Sequence, residues 1–73
     1  MRRDLGLRME DFRLGIGLSR AAVAGAIRCS PTTVQNIEVG ACWPSVWYLL
    51  EFSRISGIRL EQLLEGTLER YNS

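Results

Sequence analysis

The chain has 73 residues, 47% of them hydrophobic, which suits one small domain (residues 1–73) with a single core and excludes a disordered segment. Its apolar runs are too short to span a membrane, and no apolar stretch follows the amino-terminal arginines as in a secretory signal, so we expect a cytoplasmic protein. A net charge of +1 is by itself weak support for a nucleic-acid partner.

The first predicted helix runs from about residue 5 or 8 to residue 14. Its apolar residues recur at helical spacing and should form one buried stripe: Leu5, Met9 and Phe12. Gly15 and Gly17 are expected to end it. The preceding segment, Met1-Arg2-Arg3, suits a disordered end, or an arm that enters a DNA minor groove.

Two short helices joined by a tight turn are predicted next, at about residues 19–28 and 30–39. Ser19 and Ser30 are typical N-caps, and Pro31 fits the first helical position, where a missing amide costs nothing. Apolar side chains should point inward from both helices: Val23 and Ile27 from one, Val34 and Ile37 from the other. The second helix then presents an outward face of Thr32, Gln35, Asn36 and Val39.

Two further helices complete the predicted fold. Ser45 should begin a fourth helix that ends at Gly57 and turns a stripe of apolar side chains toward the core: Val46, Leu49, Phe52 and Ile55. A fifth, at about residues 60–65, would contribute Leu60, Leu63 and Leu64 and stop at Gly66. No alternation typical of strands is present, so the predicted fold class is all-α.

An ordered set of residues connects these elements to a known family. The chain has, at matching spacings, Arg13, Gly17-Leu18-Ser19, Val23-Ala24, Val34, Ile37-Glu38-Val39-Gly40 and Pro44. It resembles the Cro and phage-repressor type of helix-turn-helix protein, also called the xenobiotic-response-element (XRE) family, over residues 9–67. The resemblance implies a compact five-helix bundle of the lambda-repressor-like type that binds double-stranded DNA.

The resemblance implies base contacts from the second motif helix. Pro31, Thr32 and Asn36 align with the positions that touch bases in phage repressors, and Gln35 lies beside them. Asn and Gln can bond adenine in a bidentate manner, and a Thr methyl can pack on thymine, so we expect an A·T-leaning half-site. The alternative is an ordinary solvated helix face.

Arg20 and Arg28 are the expected phosphate contacts, with solvated surface arginines as the alternative. Arg20 occupies a position where family members often hold a phosphate with glutamine. The family usually has glycine in place of Arg28, because the turn tends to need a left-handed backbone. Residues 1–37, which contain most of the motif, have a net charge of +3, whereas residues 38–73 have −2.

The resemblance also implies a structural ion pair and a dimer. Arg13 and Glu38 have the spacing of a pair that clamps the first helix to the recognition helix in phage repressors. Phage repressors of this length dimerise through the loop after that helix and the segment before the last one, which here contain Pro44, Trp47, Ile58 and Leu60. Whether Trp43, Trp47 and Tyr48 belong to the core or to the interface stays open at this stage.

These observations predict a small autonomous transcriptional repressor that binds a palindromic operator as a homodimer, such as a Cro-like, plasmid-control or restriction-controller protein. The alternative is a protein-interaction module with the same fold, an antitoxin or adaptor that binds a second protein. The sequence has no histidine and only Cys29 and Cys42, both expected to be apolar fillers. We therefore expect no enzyme activity, no cofactor and no metal.

Overall fold

The computed structural model describes residues 2–64, and in that part of the chain all regular structure is helical. The five helices are α1 (Arg2–Gly15), α2 (Arg20–Ile27), α3 (Pro31–Glu38), α4 (Val46–Ser56) and α5 (Leu60–Leu64). This confirms the all-α, five-helix prediction. The expected stop at Gly66 lies outside the described residues. None of the described helices is long and apolar enough to cross a membrane.

Three serines begin α2, α3 and α4 as the sequence predicts. The hydroxyl oxygens of Ser19, Ser30 and Ser45 accept hydrogen bonds from the backbone N–H three residues later, at 3.0, 3.2 and 3.0 Å. Each bond satisfies one of the amides that a helix leaves unpaired at its first turn. The motif helices are therefore fixed at their amino ends by local chemistry.

Helix α1 begins earlier than predicted. It starts at Arg2 rather than near residue 5 or 8, so Arg2 and Arg3 are helical, and the predictions of a disordered end or a minor-groove arm are wrong for both residues. Arg3 Nη1 donates to the carbonyl oxygen of Val39 at 3.1 Å. Contact with the far end of α3 explains the extension, because isolated helix ends fray without such partners.

Glycine allows α1 to lie directly on the end of α3. Gly6 is buried, and a Cβ at this position would overlap the carbonyl oxygens of Ile37 and Glu38. The absence of a side chain therefore sets how closely α1 approaches the carboxyl end of α3.

The core lies where α1 and α2 meet α3, and where α4 and α5 close over them. Its buried hydrophobic residues are Leu5, Met9, Val23, Ala24, Ile27, Val34, Ile37, Tyr48, Phe52 and Leu63. Half-buried Phe12, Leu60 and Leu64 pack against this cluster. The inward residues predicted for α2 and α3 are thus in the core.

The prediction for α4 was right for Phe52, Leu49 and Ile55, which lie in or against the core, and wrong for Val46. Val46 is 71% exposed, and Tyr48 is buried instead, stacked on Phe52 with ring centroids 6.3 Å apart. Leu49 and Ile55 are half-buried at the edge of the core. Ser45 caps the helix, which puts Val46 in its first turn, where it lies outside the bundle. Tyr48 therefore belongs to the core.

Candidate nucleic-acid interface

Helix α3 has one buried face and one polar, exposed face. Val34 and Ile37 are buried, whereas the predicted base-contacting residues are all exposed: Pro31, Thr32, Gln35 and Asn36. Within residues 2–64, the side chains of the last three make no hydrogen bond to another residue. Their donors and acceptors are thus available to a ligand outside the bundle. Val39 lies on the same face, 41% exposed.

The turn before α3 has an unusual backbone. Arg28 adopts the left-handed conformation (φ 67°, ψ 48°), and its N–H donates to the carbonyl oxygen of Ala24. Most helices that end this way use glycine, since a Cβ makes the conformation costly. The turn therefore keeps the geometry that glycine usually provides, although the residue is an arginine.

The Arg28 side chain is directed away from the core. It is exposed, and within the described residues it has no ion-pair partner. It lines a shallow surface cleft between the turn and α4, with Ala26, Ile27, Trp47, Glu51 and Arg54. Its charge is therefore not neutralised inside the fold.

Arg13 and Glu38 form a buried ion pair. Arg13 Nε lies 2.7 Å from Glu38 Oε2, and Arg13 Nη2 donates to Glu38 Oε1 at 3.2 Å. Arg13 Nη1 also donates to the carbonyl oxygen of Leu18 at 2.8 Å. The pair connects α1 to the last residue of α3, and the bond from Arg13 to Leu18 fixes the loop that leads into α2.

Arg20 joins the same cluster, whereas its position in the sequence indicated a phosphate contact. Its Nε donates to Glu38 Oε1 at 2.9 Å, and its Nη2 donates to Glu10 Oε2 at 3.1 Å. The hydrogen bond to Glu38 raises the pKa of the Arg20 guanidinium above its ordinary value. We call Glu10, Arg13, Arg20 and Glu38 the ion cluster. The sequence analysis missed Glu10, because nothing local indicates which residue of α1 faces α2.

The expected dimer residues are not equally accessible. Trp47 is 50% exposed, but Pro44, Ile58 and Leu60 are half-buried, and the last two pack against the core. Other large apolar side chains near Trp47 are open to solvent: Trp43, Val46 and Leu50. We call Trp43, Val46, Trp47 and Leu50 the α4 face. Val46, Trp47 and Leu50 lie at helical spacing on α4, whereas Trp43 lies in the loop before it, and this pattern was not used in the prediction from sequence.

The two cysteines differ in environment. Cys29 is half-buried and packs against the core, and burial raises the pKa of its thiol. Cys42 is exposed, so the prediction that both are apolar fillers was wrong for Cys42.

Comparison with known proteins agrees with the fold and the motif. The family model of the helix-turn-helix domain matches residues 4–65. The crystal structure of the restriction-modification controller protein C.AhdI from Aeromonas hydrophila is similar, with a TM-score of 0.80 and 22% sequence identity. The match covers 85% of this chain and 94% of that protein. Comparison with curated protein sequences gives no significant match.

The match to the helix-turn-helix family, together with the fold, identifies a DNA-binding regulator of the XRE type. The chain belongs to the helix-turn-helix domain family.

Proposed function

We propose that this protein is a transcriptional repressor that binds a palindromic operator as a homodimer and occludes a promoter. One observation supports this most directly: Thr32, Gln35 and Asn36 stand outward from α3 with no partner among residues 2–64. A helix with such a face can enter the major groove, where base edges distinguish all four base pairs.

The base contacts proposed for each half-site come from Pro31, Thr32, Gln35 and Asn36. The two amide side chains suit bidentate bonds to adenine, and the methyl group of Thr32 suits contact with thymine. No residue of the exposed face of α3 is an arginine, the usual partner of guanine. The half-site is therefore proposed to lean toward A·T pairs.

Arg28 is the better supported of the two proposed phosphate contacts. Its guanidinium is exposed and unpaired among the described residues, and it lies just before the amino end of α3. Strained backbone persists where the surrounding structure holds it, and it concentrates at functional sites. A free cation at that position is a reason for an arginine to occupy a turn that would otherwise favour glycine.

The α4 face is proposed as the centre of the dimer interface. Trp47 lies within it, and Trp43, Val46 and Leu50 extend it to four exposed apolar side chains. Contiguous apolar surface with aromatic residues is typical of the centre of a protein interface. Pro44, Ile58 and Leu60 would then form its edge. A two-fold dimer would place two copies of α3 in successive major grooves, about one helical turn apart.

Selection of binding sites from random-sequence DNA tests the regulator function. The purified chain should enrich an A·T-leaning inverted repeat. Replacing Asn36 by alanine should relax the preference at one position of each half-site, at a cost of about 1–3 kcal/mol per lost base contact. The matched control is Asp11→Ala on α1, which should leave the preference unchanged. Enrichment of no motif, or equal effects of the two variants, would refute the proposal.

Sedimentation of a Trp47 variant tests the interface. Trp47→Ala should give monomers that bind the operator weakly, because each interface centre loses a large aromatic anchor. The control is Leu14→Ala, which removes an equally exposed apolar side chain from α1 (60% exposed) and should leave the dimer intact. A Trp47 variant that stays dimeric would remove the α4 face from the proposed interface.

The alternative function, an antitoxin or adaptor, is also compatible with the exposed α4 face. In that case a second polypeptide, in place of another copy of this chain, covers these side chains. Stable co-purification with one other protein, together with failure to select any DNA motif, would favour this alternative. Elution from a DNA column at moderate salt would favour the repressor, because phosphate contacts weaken as salt rises.

A further inference from the structure

Three helices meet at one buried carboxylate. Glu38 ends α3, its side chain is 1% exposed, and both of its oxygens accept hydrogen bonds. Arg13 approaches it from α1, and Arg20 approaches it from the first position of α2. The orientation of α3 relative to the other two helices is therefore coupled to how these two guanidinium groups hold one carboxylate.

Arg20 is the member of the ion cluster that hydrogen-bonds two carboxylates on different helices, whereas Arg13 hydrogen-bonds Glu38 and lies 4.0 Å from Glu10. Its Nε bonds Glu38 on α3 while its Nη2 bonds Glu10 on α1, and its side chain is 34% exposed. The planar fork of a guanidinium holds five N–H donors in fixed directions, so one group can bond two carboxylates at once with this geometry. The four charges of the cluster, two positive and two negative, compensate one another.

We propose that Arg20 is a positioning residue that sets the orientation of α3 through Glu38 and Glu10, and thereby governs sequence discrimination. This inference rests on the proposed DNA-binding function. It assigns Arg20 a different role from Arg28, although both arginines lie in the motif. Arg28 neutralises a phosphate, whereas the charge of Arg20 is neutralised by Glu10 and Glu38 within the protein.

The bonds of Arg20 explain why it does not act as a phosphate contact. If its guanidinium turned toward DNA, Glu38 would lose one of its donors while remaining buried, and Glu10 would lose the partner at 3.1 Å. A buried charge deprived of its partner is strongly unfavourable. Phosphate binding by Arg20 would thus compete with the contacts that hold α3 in place.

The test compares salt dependence and sequence discrimination in the full chain. Affinities for the selected operator and for a random duplex are measured over a range of salt concentrations for the wild type, Arg20→Gln and the control Arg28→Gln. Arg28→Gln should weaken both DNAs equally and reduce the salt slope by about one for each copy bound, or about two for the dimer. Arg20→Gln should leave the slope unchanged and lower the operator-to-random ratio about tenfold, comparable to one lost base contact.

An Arg20→Lys variant separates the two roles even where the glutamine variant folds poorly. Lysine can replace arginine as a point charge on a phosphate, but it cannot bridge two carboxylates in the same way. If Arg20 is a positioning residue, the Arg20→Lys variant should still discriminate poorly between the operator and the random duplex. Restored affinity and discrimination in Arg20→Lys would overturn the inference.

Glu10→Gln provides an independent check on the other helix. Because Glu10 holds Arg20 from α1, its loss should lower discrimination in the same direction as Arg20→Gln, and the double variant should be no worse than Arg20→Gln alone. Additive losses would contradict the shared role, as would a salt slope flattened by Arg20→Gln. Failure of the proposed function differs from all of these outcomes, since the wild type itself would then show no operator preference.

Discussion

Arg28 provides a direct measure of what the left-handed turn costs this fold. It is the one residue other than glycine, within positions 2–64, that has a positive φ (67°). A residue with a Cβ costs roughly 1–2 kcal/mol in this conformation. Glycine removes that cost, but it also lowers stability by about 0.4–1 kcal/mol because it increases the conformational entropy of the unfolded chain. Arg28→Gly should therefore raise the free energy of unfolding by about 0.5–1 kcal/mol.

A thermal melt at fixed protein concentration measures this effect. For a domain of this size, each kcal/mol moves Tm by about 4–8 °C, so the expected rise is about 2–8 °C. The concentration must be fixed because dimerisation also raises apparent stability. The same variant would lack the proposed phosphate contact of Arg28 in each copy, so higher stability should accompany weaker DNA binding.

Gly57 offers the reverse experiment in the same molecule. It also caps a helix in the left-handed conformation (φ 73°), and a Cβ there would meet nothing within 4 Å. Gly57→Ala should therefore lower Tm by a similar amount for conformational reasons alone. Arg28→Ala is the second control, since it keeps the Cβ and removes the guanidinium. Equal shifts for Arg28→Gly and Arg28→Ala would refute the backbone explanation.

Two further variants test the packing around α3, and a third tests the burial of Tyr48. Gly6→Ala should lower Tm and weaken DNA binding, because its Cβ would push against backbone carbonyls of α3, and unchanged melting and binding would contradict that close approach. Glu38→Gln should lower the free energy of unfolding by about 3–5 kcal/mol in urea titration, because it breaks a buried ion pair, and an unchanged midpoint would exclude a structural clamp. Burial raises the pKa of Tyr48 above its ordinary value of 10.0, so the folded state retains the proton that the unfolded state loses. The contribution of Tyr48 to stability should thus be constant below pH 10 and fall above it, and Tyr48→Phe should lessen the fall in this range.

Features fixed by neighbouring residues were predictable from the sequence. The three serine caps and Pro31 act within one helical turn, so the local sequence was sufficient to place the starts of α2, α3 and α4. The outward face of α3 followed from its periodicity for the same reason. Ala24, which the family resemblance includes beside Val23, is 2% exposed in the core.

Features fixed by distant residues were not predictable in the same way. Helix α1 begins at Arg2 because its first turns contact the end of α3, which lies more than thirty positions away. In α4 the run Val46–Leu50 is apolar throughout, so periodicity could not decide which side faces the core. Arg20 pairs with Glu10 only because of the way α1 packs beside α2.

The two motif arginines together explain why this chain would need a partner copy to bind DNA. Arg20 is neutralised by Glu10 and Glu38, so of the motif's two arginines Arg28 alone keeps its charge for phosphate. Non-specific affinity depends chiefly on such contacts, so a single copy should hold DNA weakly. When two copies are joined in a dimer, binding of the second copy to its half-site becomes an intramolecular step at a high effective concentration. At protein concentrations where sedimentation shows the free chain to be monomeric, operator occupancy should therefore rise more steeply than the first power of protein concentration, and a first-power isotherm under those conditions would show that one copy is sufficient.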